Sequence, residues 1–390
     1  MAMRVTHVIT RLIIGGAQEN TVATVLGLQQ KTDLEIDLIS GPTFGPEGSL
    51  ESAFALKSGL LTIVPELVRP VHPWKDWRAL KRLTQIFRET KPDIVHTHSG
   101  KAGILGRIAA HRAGVPIIIH TIHGPSFGSF QNFFANFVFR SAEKYAARFT
   151  KQFISVAHAM TEQYLAAGIG KRVQYTRIFS GFSLEPFLNA SNDLALRHKL
   201  KIAPSDFVVG KIARLFELKG HDDLFAVAPE LVKRCPQIKF LLVGDGKWRQ
   251  RFEFQTRALG LQNHFILSGL ISPSEVPRYV GIMDVLVHLS RREGLPRALP
   301  QALAAGKPVI AYDCDGANEI CIPNETGFLV SVGDTVGLSE RLIQLAENPA
   351  LRQKLGHRGQ EIVKEFFPVE QMVENIYELY VKLSSKISRA

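Results

Sequence analysis

The chain has 390 residues, 45% of them apolar and 21% charged, with 31 Gly, 20 Pro and a formal net charge of +11. That length suits two or three domains of about 100 to 200 residues each and can bury a core without disulfide staples, which excludes peptide-scale, disulfide-framework, disordered and collagen-like classes. Residues 1–190 carry net +8 and the remainder net +3, a field that attracts nucleic acid, anionic lipid headgroups or phosphorylated substrates without choosing among them.

The first residues, Met1-Ala2-Met3-Arg4, lead straight into the apolar run Val5 to Ile9, with no apolar signal region or small-residue cleavage site. Nowhere is there an uncharged apolar run of the roughly 20 residues a spanning helix needs. The expectation is a cytoplasmic protein that does not cross a membrane. Cys235, Cys314 and Cys321 have neither Cys-x-x-Cys spacing nor zinc-finger His partners, and are expected to be reduced core thiols.

After Val5–Ile9 the pattern predicts a helix over 16–29 and a strand over Leu34–Ile39, then strands at Asp93–Val95, Pro116–Ile119 and Phe153–Val156, with helical periodicity between them. This βα alternation predicts a parallel sheet covered on both faces. Residues 183–206 are polar and irregular, and the rhythm then restarts with strands at Phe207–Gly210, Phe240–Val243, Asp284–Leu289 and Pro308–Ile310, closing in helical patterning from Leu338 to Ser385. Two doubly wound α/β domains follow. Such sheets bind ligands at the carboxyl ends of their strands, so a cleft between two facing crevices is expected, suited to an enzyme that joins two substrates.

The segment Gly210 to His221 runs from a strand into a helix and carries Arg214 and Lys219, two cations five positions apart. With a helix N-terminus beside them, a diphosphate is the natural occupant; two ordinary surface cations are the alternative. Glu293-Gly294-Leu295-Pro296 follows the strand Asp284–Leu289, and a helix is expected to start at about Leu295, with Pro296 in its first turn and Gly306 as its stop. That arrangement puts a carboxylate at the crevice mouth, the Gly294 and Leu295 amides at the helix start, and Gln301 about two turns deeper.

With these motifs on one chain, the sequence resembles a retaining glycosyltransferase of family 4, of the bacterial polysaccharide and lipid-linked glycan kind. The resemblance runs through Gly15-Gly16-Ala17-Gln18, Asp93 to Ser99, His120 to Gly124, Arg214 to Gly220, Val243-Gly244-Asp245-Gly246 and Glu293 to Pro308. It implies the GT-B fold, two facing Rossmann-like domains with a deep cleft: an acceptor domain over 1–190, a nucleotide-sugar donor domain over 191–368, and a C-terminal helix over 369–390 packing back toward the N-terminal domain. It also implies roles. Arg214 and Lys219 hold the donor diphosphate, with Gly294 and Leu295 beside it; Glu293 contacts hydroxyls of the transferred sugar and Gln301 the ribose. Gly16 lets the first loop approach the donor phosphate and the acceptor, and His123 lies over the reacting sugar. The expected reaction is metal-independent transfer, with retention, from a nucleotide diphosphate sugar, UDP-linked by preference, to a hydroxyl of a glycan or lipid-linked acceptor in cell-surface polysaccharide biosynthesis. The sugar nucleotide is a substrate, and no cofactor is expected.

Two positions depart from the family. Gln301 stands where Glu is usual; an amide still accepts from a ribose hydroxyl but lacks the charge that strengthens the bond. Ser180-Gly181-Phe182-Ser183 stands where Asn-Gly-Val-Asp is common. These departures keep open a donor-binding protein without turnover, and a GT-B sugar-nucleotide epimerase is a further alternative.

Other features weigh against competing partners. His7, His96, His98, His120 and His123 fall near strand ends but lack His-x-x-x-His spacing, so no metal is expected. No nucleic-acid module accompanies the basic excess, so nucleic acid is not an expected partner. The segment Phe127 to Phe139 holds six Phe and is followed by Arg140, Lys144, Arg148 and Lys151. Its rings either pack the N-terminal core or, through Phe133, Phe134 and Phe137, meet the anionic inner face of the cell membrane and a lipid-linked acceptor.

Overall fold

A computed structural model describes residues 2–45, 48–55, 57, 59–128 and 130–387. The chain forms two compact units, one from the residues up to Phe182 together with those from Val369 onward, the other from Ser183 to Pro368.

The first unit holds strands β1 (Met3–Ile9), β2 (Leu34–Ser40), β3 (Leu61–Ile63), β4 (Ile94–His98), β5 (Ile117–Ile122), β6 (Gln152–Ser155) and β7 (Tyr175–Arg177). All pair in parallel, in the order β3-β2-β1-β4-β5-β6-β7. β4 and β5 are buried along their whole length, as strands covered on both faces must be. One face packs Val8, Val95 and Ile118 against Leu83, Phe87 and Ala109. The other packs Val5, Ile94, Ile117 and Ile154 against Met372, Val373, Ile376, Tyr380 and Leu383 of the last helix, Val369–Ile387. Those five recur at three- and four-residue spacing, the apolar stripe of a helix laid on a sheet. The Asn20 amide donates to Ser180 Oγ at 2.8 Å and the Gly181 N–H to Met372 Sδ at 3.2 Å, so residues 180 and 181 are held by contacts inside this unit.

The second unit holds β8 (Phe207–Ile212), β9 (Ile238–Val243), β10 (Phe265–Gly269), β11 (Val285–His288), β12 (Val309–Tyr312) and β13 (Gly327–Val330), all parallel in the order β10-β9-β8-β11-β12-β13. Its core joins Val209, Phe240, Val285 and Ile310 to Leu224, Phe225, Leu231, Leu338 and Leu342 of the covering helices.

The long helical tract from Leu338 divides into Thr335–Glu347, Pro349–Phe366 and Val369–Ile387. The breaks have local causes: the Asn348 side chain accepts from the Leu351 N–H at 2.9 Å with Pro349 at the first position, an N-cap that starts a new helix, and Pro368 ends that helix. The three cysteines are unbridged; Cys235 and Cys321 are buried and Cys314 is half-buried. Among the described residues no helix is long and apolar enough to cross a membrane.

Candidate functional site

In both sheets the strand order reverses between two neighbours, β1 and β4 in the first, β8 and β11 in the second. Crevices beyond the carboxyl ends of such neighbours are where open α/β sheets take ligands. The loop bearing Arg214 and Lys219 follows β8, and the loop bearing Glu293 follows β11, which pairs with β8 through Val285 opposite Val209 and Leu286 opposite Gly210. Sheet topology therefore brings together residues 74 positions apart.

The contact is direct. The Lys219 ammonium pairs with Glu293 Oε1, and the Arg291 N–H donates to the Leu218 carbonyl at 2.8 Å. Gly220, at φ +64, lies so close to the second loop that a Cβ there would sit 2.0 Å from the Leu289 carbonyl oxygen. The Glu293 backbone N–H donates to Asp315 Oδ2 at 2.7 Å, and the Gly294 carbonyl accepts from the Gly316 N–H at 3.1 Å. His288 Nε2 stands 3.7 Å from Glu293 Oε1. Burial pushes the Glu293 carboxyl up, but the Lys219 ammonium, through its charge and its hydrogen bond, outweighs it and holds the group below its usual range. Burial lowers His288 to about 3, so its imidazole is neutral at physiological pH.

A third loop braces the first. The Leu215 N–H donates to the Asp245 carbonyl at 2.9 Å and the Trp248 N–H to the Leu215 carbonyl at 3.1 Å. Gly244, at φ +130, would place a Cβ 2.3 Å from the Ala213 carbonyl oxygen. Gly244-Asp245-Gly246 is thus a packing loop that shapes the Arg214 segment. His221 Nε2 donates to the Arg214 carbonyl at 3.0 Å, and burial lowers this imidazole to about 3. The Arg214 side chain is exposed, its guanidinium 5.5 Å from the centre of the Phe216 ring. Beneath the loop lies Lys211, buried at 1% exposure and lowered to about 7, first by burial and then by the Lys219 charge.

One expectation is corrected. The helix after Glu293 begins at Ala298, not Leu295, and runs only to Ala304. Pro296 disfavours helical geometry at the residue before it, so Gly294 and Leu295 form a turn and their amides do not open a helix. Gln301 lies one turn into that helix, half-buried, and its side chain makes no hydrogen bond among the described residues.

In the first unit, Gly16 is the first residue of the helix Gly16–Leu28 directly after the β1 loop, and a Cβ there would touch no protein atom within 4 Å. His123 follows β5; its Nε2 lies 3.1 Å from His98 Nδ1, and burial lowers it to about 4. His7, His96 and His98 are buried and offer ligand atoms within 4.8 Å of one another, near enough to hold a metal. Every ring nitrogen of the three, however, already has a hydrogen-bond partner in the protein.

The Phe-rich segment divides. Phe127 is buried, whereas Phe133, Phe134 and Phe137 are 88%, 75% and 61% exposed. The helix that carries them, Phe133–Ala147, is anchored by Glu143, which accepts from Arg107 at 2.5 Å and Ser126 at 3.0 Å, with both charged side chains fully buried. Phe134, Val138 and Phe139 line an apolar cavity of about 310 Å³ with Val71, Ile104 and Leu105.

Sequence reasoning missed His288, Asp315 and Lys211. The first two reveal themselves only once β11 and the turn after β12 are side by side; Lys211 had a signal, a charge inside the otherwise apolar run Phe207–Ile212.

Two doubly wound parallel sheets with loops gathered at their switch points are the GT-B glycosyltransferase fold. Its solved members include the Anabaena protein Alr3699/HepE, crystallised with UDP and glucose, which superposes with a TM-score of 0.81 at 21% identity over 97% of this chain and 99% of that one. Another is a sucrose-phosphate synthase from Thermosynechococcus elongatus, with a TM-score of 0.79 at 20% identity over 98% and 100%. Residues 14–176 match the family Glycosyltransferase Family 4, and residues 193–362 match Glycosyl transferases group 1. The chain is 31% identical over 326 residues to the Escherichia coli UDP-Gal:alpha-D-GlcNAc-diphosphoundecaprenol alpha-1,3-galactosyltransferase, covering 82% of this chain and 83% of that one. It is 26% identical to the capsular polysaccharide biosynthesis glycosyltransferase CapM of Staphylococcus aureus over 83% and 86%. The chain belongs to the family 4, group 1 glycosyltransferases.

Proposed function

We propose that the protein transfers a sugar from a UDP-sugar, with retention at the anomeric carbon and without a metal, to a hydroxyl of a lipid-linked or growing surface glycan. The observation that carries the reading is the Lys219–Glu293 pair, a cation and a carboxylate joined at the switch point of the second sheet. The donor and acceptor classes follow the names of the relatives: the E. coli enzyme uses UDP-Gal and a diphosphoundecaprenol acceptor, and HepE was crystallised with UDP-glucose.

Departure of the nucleoside diphosphate leaves negative charge on its β-phosphate. Arg214 and Lys219 stabilise that charge more as it develops, which lowers the barrier rather than only tightening binding. These side chains take the place of a metal ion. Glu293, held ionised, accepts hydrogen bonds from hydroxyls of the transferred sugar, with the Gly294-Leu295 turn beside the diphosphate. Gln301 accepts from the ribose. Gly16 leaves room for the donor phosphate and the acceptor beside the first loop, and His123 contacts the reacting sugar. The acceptor hydroxyl attacks the face the diphosphate leaves.

Exposed Phe133, Phe134 and Phe137, with Arg140 and Lys144 on the same helix and Arg148 just past its end, would seat the protein on the anionic inner face of the cell membrane, where a lipid-linked acceptor is found. Phe133 and Phe134 both changed to Ser should then abolish co-sedimentation with anionic vesicles; unchanged co-sedimentation contradicts this part.

The test of the main reading is turnover with UDP-sugars, followed by NMR of the product's anomeric configuration. Wild type should transfer with retention, and Glu293→Ala should lose about ten- to hundredfold, the value of hydrogen bonds to a charged group. Binding of donor without turnover, or an epimerised donor formed without acceptor, would overturn it.

A further inference from the structure

The three buried histidines of the first sheet extend into a longer chain. His123 Nε2 lies 3.1 Å from His98 Nδ1, His98 Nε2 lies 2.9 Å from His7 Nδ1, and His7 Nε2 lies 3.2 Å from the Tyr380 hydroxyl. The same hydroxyl is 2.5 Å from His96 Nδ1, and His96 Nε2 is 2.6 Å from Thr121 Oγ1. Four imidazoles from the ends of β1, β4 and β5 are thereby joined through one phenol on the last helix.

Each imidazole is neutral at physiological pH: burial lowers His7 to about 3, His96 and His98 well below their ordinary range and His123 to about 4, while it raises Tyr380 well above its own. A neutral imidazole has one donor and one acceptor nitrogen, and the phenol has one proton. In an unbranched chain of such groups, all the protons must point the same way. Only two arrangements exist, and they give His123 opposite tautomers.

The distances select one. Hydroxyl donors make shorter hydrogen bonds than N–H donors, so the 3.2 Å contact is His7 Nε2–H donating to the Tyr380 oxygen, which leaves the Tyr380 proton for His96 Nδ1; the 2.5 Å and 2.6 Å contacts of His96 do not discriminate, because a neutral imidazole accepts at only one of them. It follows that His98 Nε2–H donates to His7, His123 Nε2–H donates to His98, and His96 Nε2–H donates to Thr121. Among the described residues, His123 Nδ1 has no hydrogen-bond partner.

We propose that this chain fixes His123 as the Nε2–H tautomer, so that Nδ1 presents a lone pair to a substrate hydroxyl, with Tyr380, His7 and His98 as positioning residues. The direction of the chain stands on the contact distances together with the neutrality of the buried imidazoles; its effect on substrate rests on the function proposed above. A metal held by His7, His96 and His98 would break these bonds, because it needs lone pairs that the chain has already committed.

The experiment is two-bond ¹H–¹⁵N correlation NMR of the full-length protein labelled at histidine, with His123 assigned through His123→Gln. Wild type should show His7, His96, His98 and His123 all as single Nε2–H tautomers. Tyr380→Phe removes the hydroxyl that orders the chain; His123 should then populate both tautomers, and kcat should fall about three- to tenfold, the scale of one hydrogen bond, with the donor KM changed less than about twofold. An Nδ1–H tautomer at His123 in wild type, an unaltered tautomer in Tyr380→Phe, or one equivalent of metal bound at the cluster would overturn the proposal. The wild-type spectrum decides it even where the variant fails to fold. A fixed tautomer with no loss of turnover in the variant would overturn only the effect on substrate.

Discussion

The first unit should be labile to mild acid. His7, His96, His98 and His120 are buried at 0–1% exposure, and burial holds all four well below the ordinary imidazole range. Their folded pKa values are depressed, so as pH falls below about 6.5 the unfolded chain takes up protons that the folded one refuses. Stability is complete above that pH and is lost on acidification. At pH 5.5 each group, and His123 with them, lowered to about 4, costs on the order of 1 kcal/mol, or roughly 5 to 7 kcal/mol for the five. Asp37 opposes this: burial raises it to about 6, so its proton uptake on folding returns roughly 1 kcal/mol at pH 5.5. The second unit carries two comparable imidazoles, His221 and His288, both lowered to about 3, and should lose about half as much. Since domains are stable by only about 5–15 kcal/mol, the first unit should be near melting at pH 5.5. Urea unfolding followed by hydrogen exchange at pH 7.5 and 5.5, read separately in peptides from β1, β4 and β5 and from β8, β9 and β11, measures this. Losses below about 1 kcal/mol in the first unit, or equal losses in both, would refute the reasoning.

Gly16→Ala should leave the melting temperature unchanged or slightly raised, because the added Cβ meets no protein atom and Ala is the better helix former; transfer activity should still drop, and full activity would remove Gly16 from the substrate's path. Gly220→Ala should distort the Lys219 loop, since its Cβ would collide with the Leu289 carbonyl; donor affinity measured by calorimetry should weaken at least as much as in Lys219→Ala. Glu143→Ala leaves Arg107 buried without its carboxylate and should cost about 3–5 kcal/mol in urea unfolding, the largest single loss expected in the first unit.

How much of this was legible depended on range along the chain. The apolar runs that became β1, β2, β4, β5, β6, β8, β9, β11 and β12 stood out because strands buried on both faces are continuous apolar stretches. β3 is three residues long and has an Ile63 that is 40% exposed, so it does not rise above its surroundings. The helix at 298 was misplaced by three residues because Pro296 suits a first helical turn and equally well ends a turn before one. Lys219 and Glu293 could be placed in one site in advance because each sits in a loop with its own motif, but their direct ion pair could not. Nor could what stands behind them. His288 and Asp315 have no local signature, and the contact between His7 and Tyr380 spans 373 positions, a distance over which only the folded sheet carries information.

The central claim is that the cations at 214 and 219 bind the donor through its diphosphate, and calorimetry of UDP and of uridine against wild type, Arg214→Ala and Lys219→Ala tests it most directly. Each substitution should raise the Kd for UDP by about tenfold or more, the value of a hydrogen bond to a charged group, while binding of uridine, which lacks phosphates, stays as in wild type. Unchanged UDP affinity in both variants, or equal losses for UDP and uridine, would contradict the account.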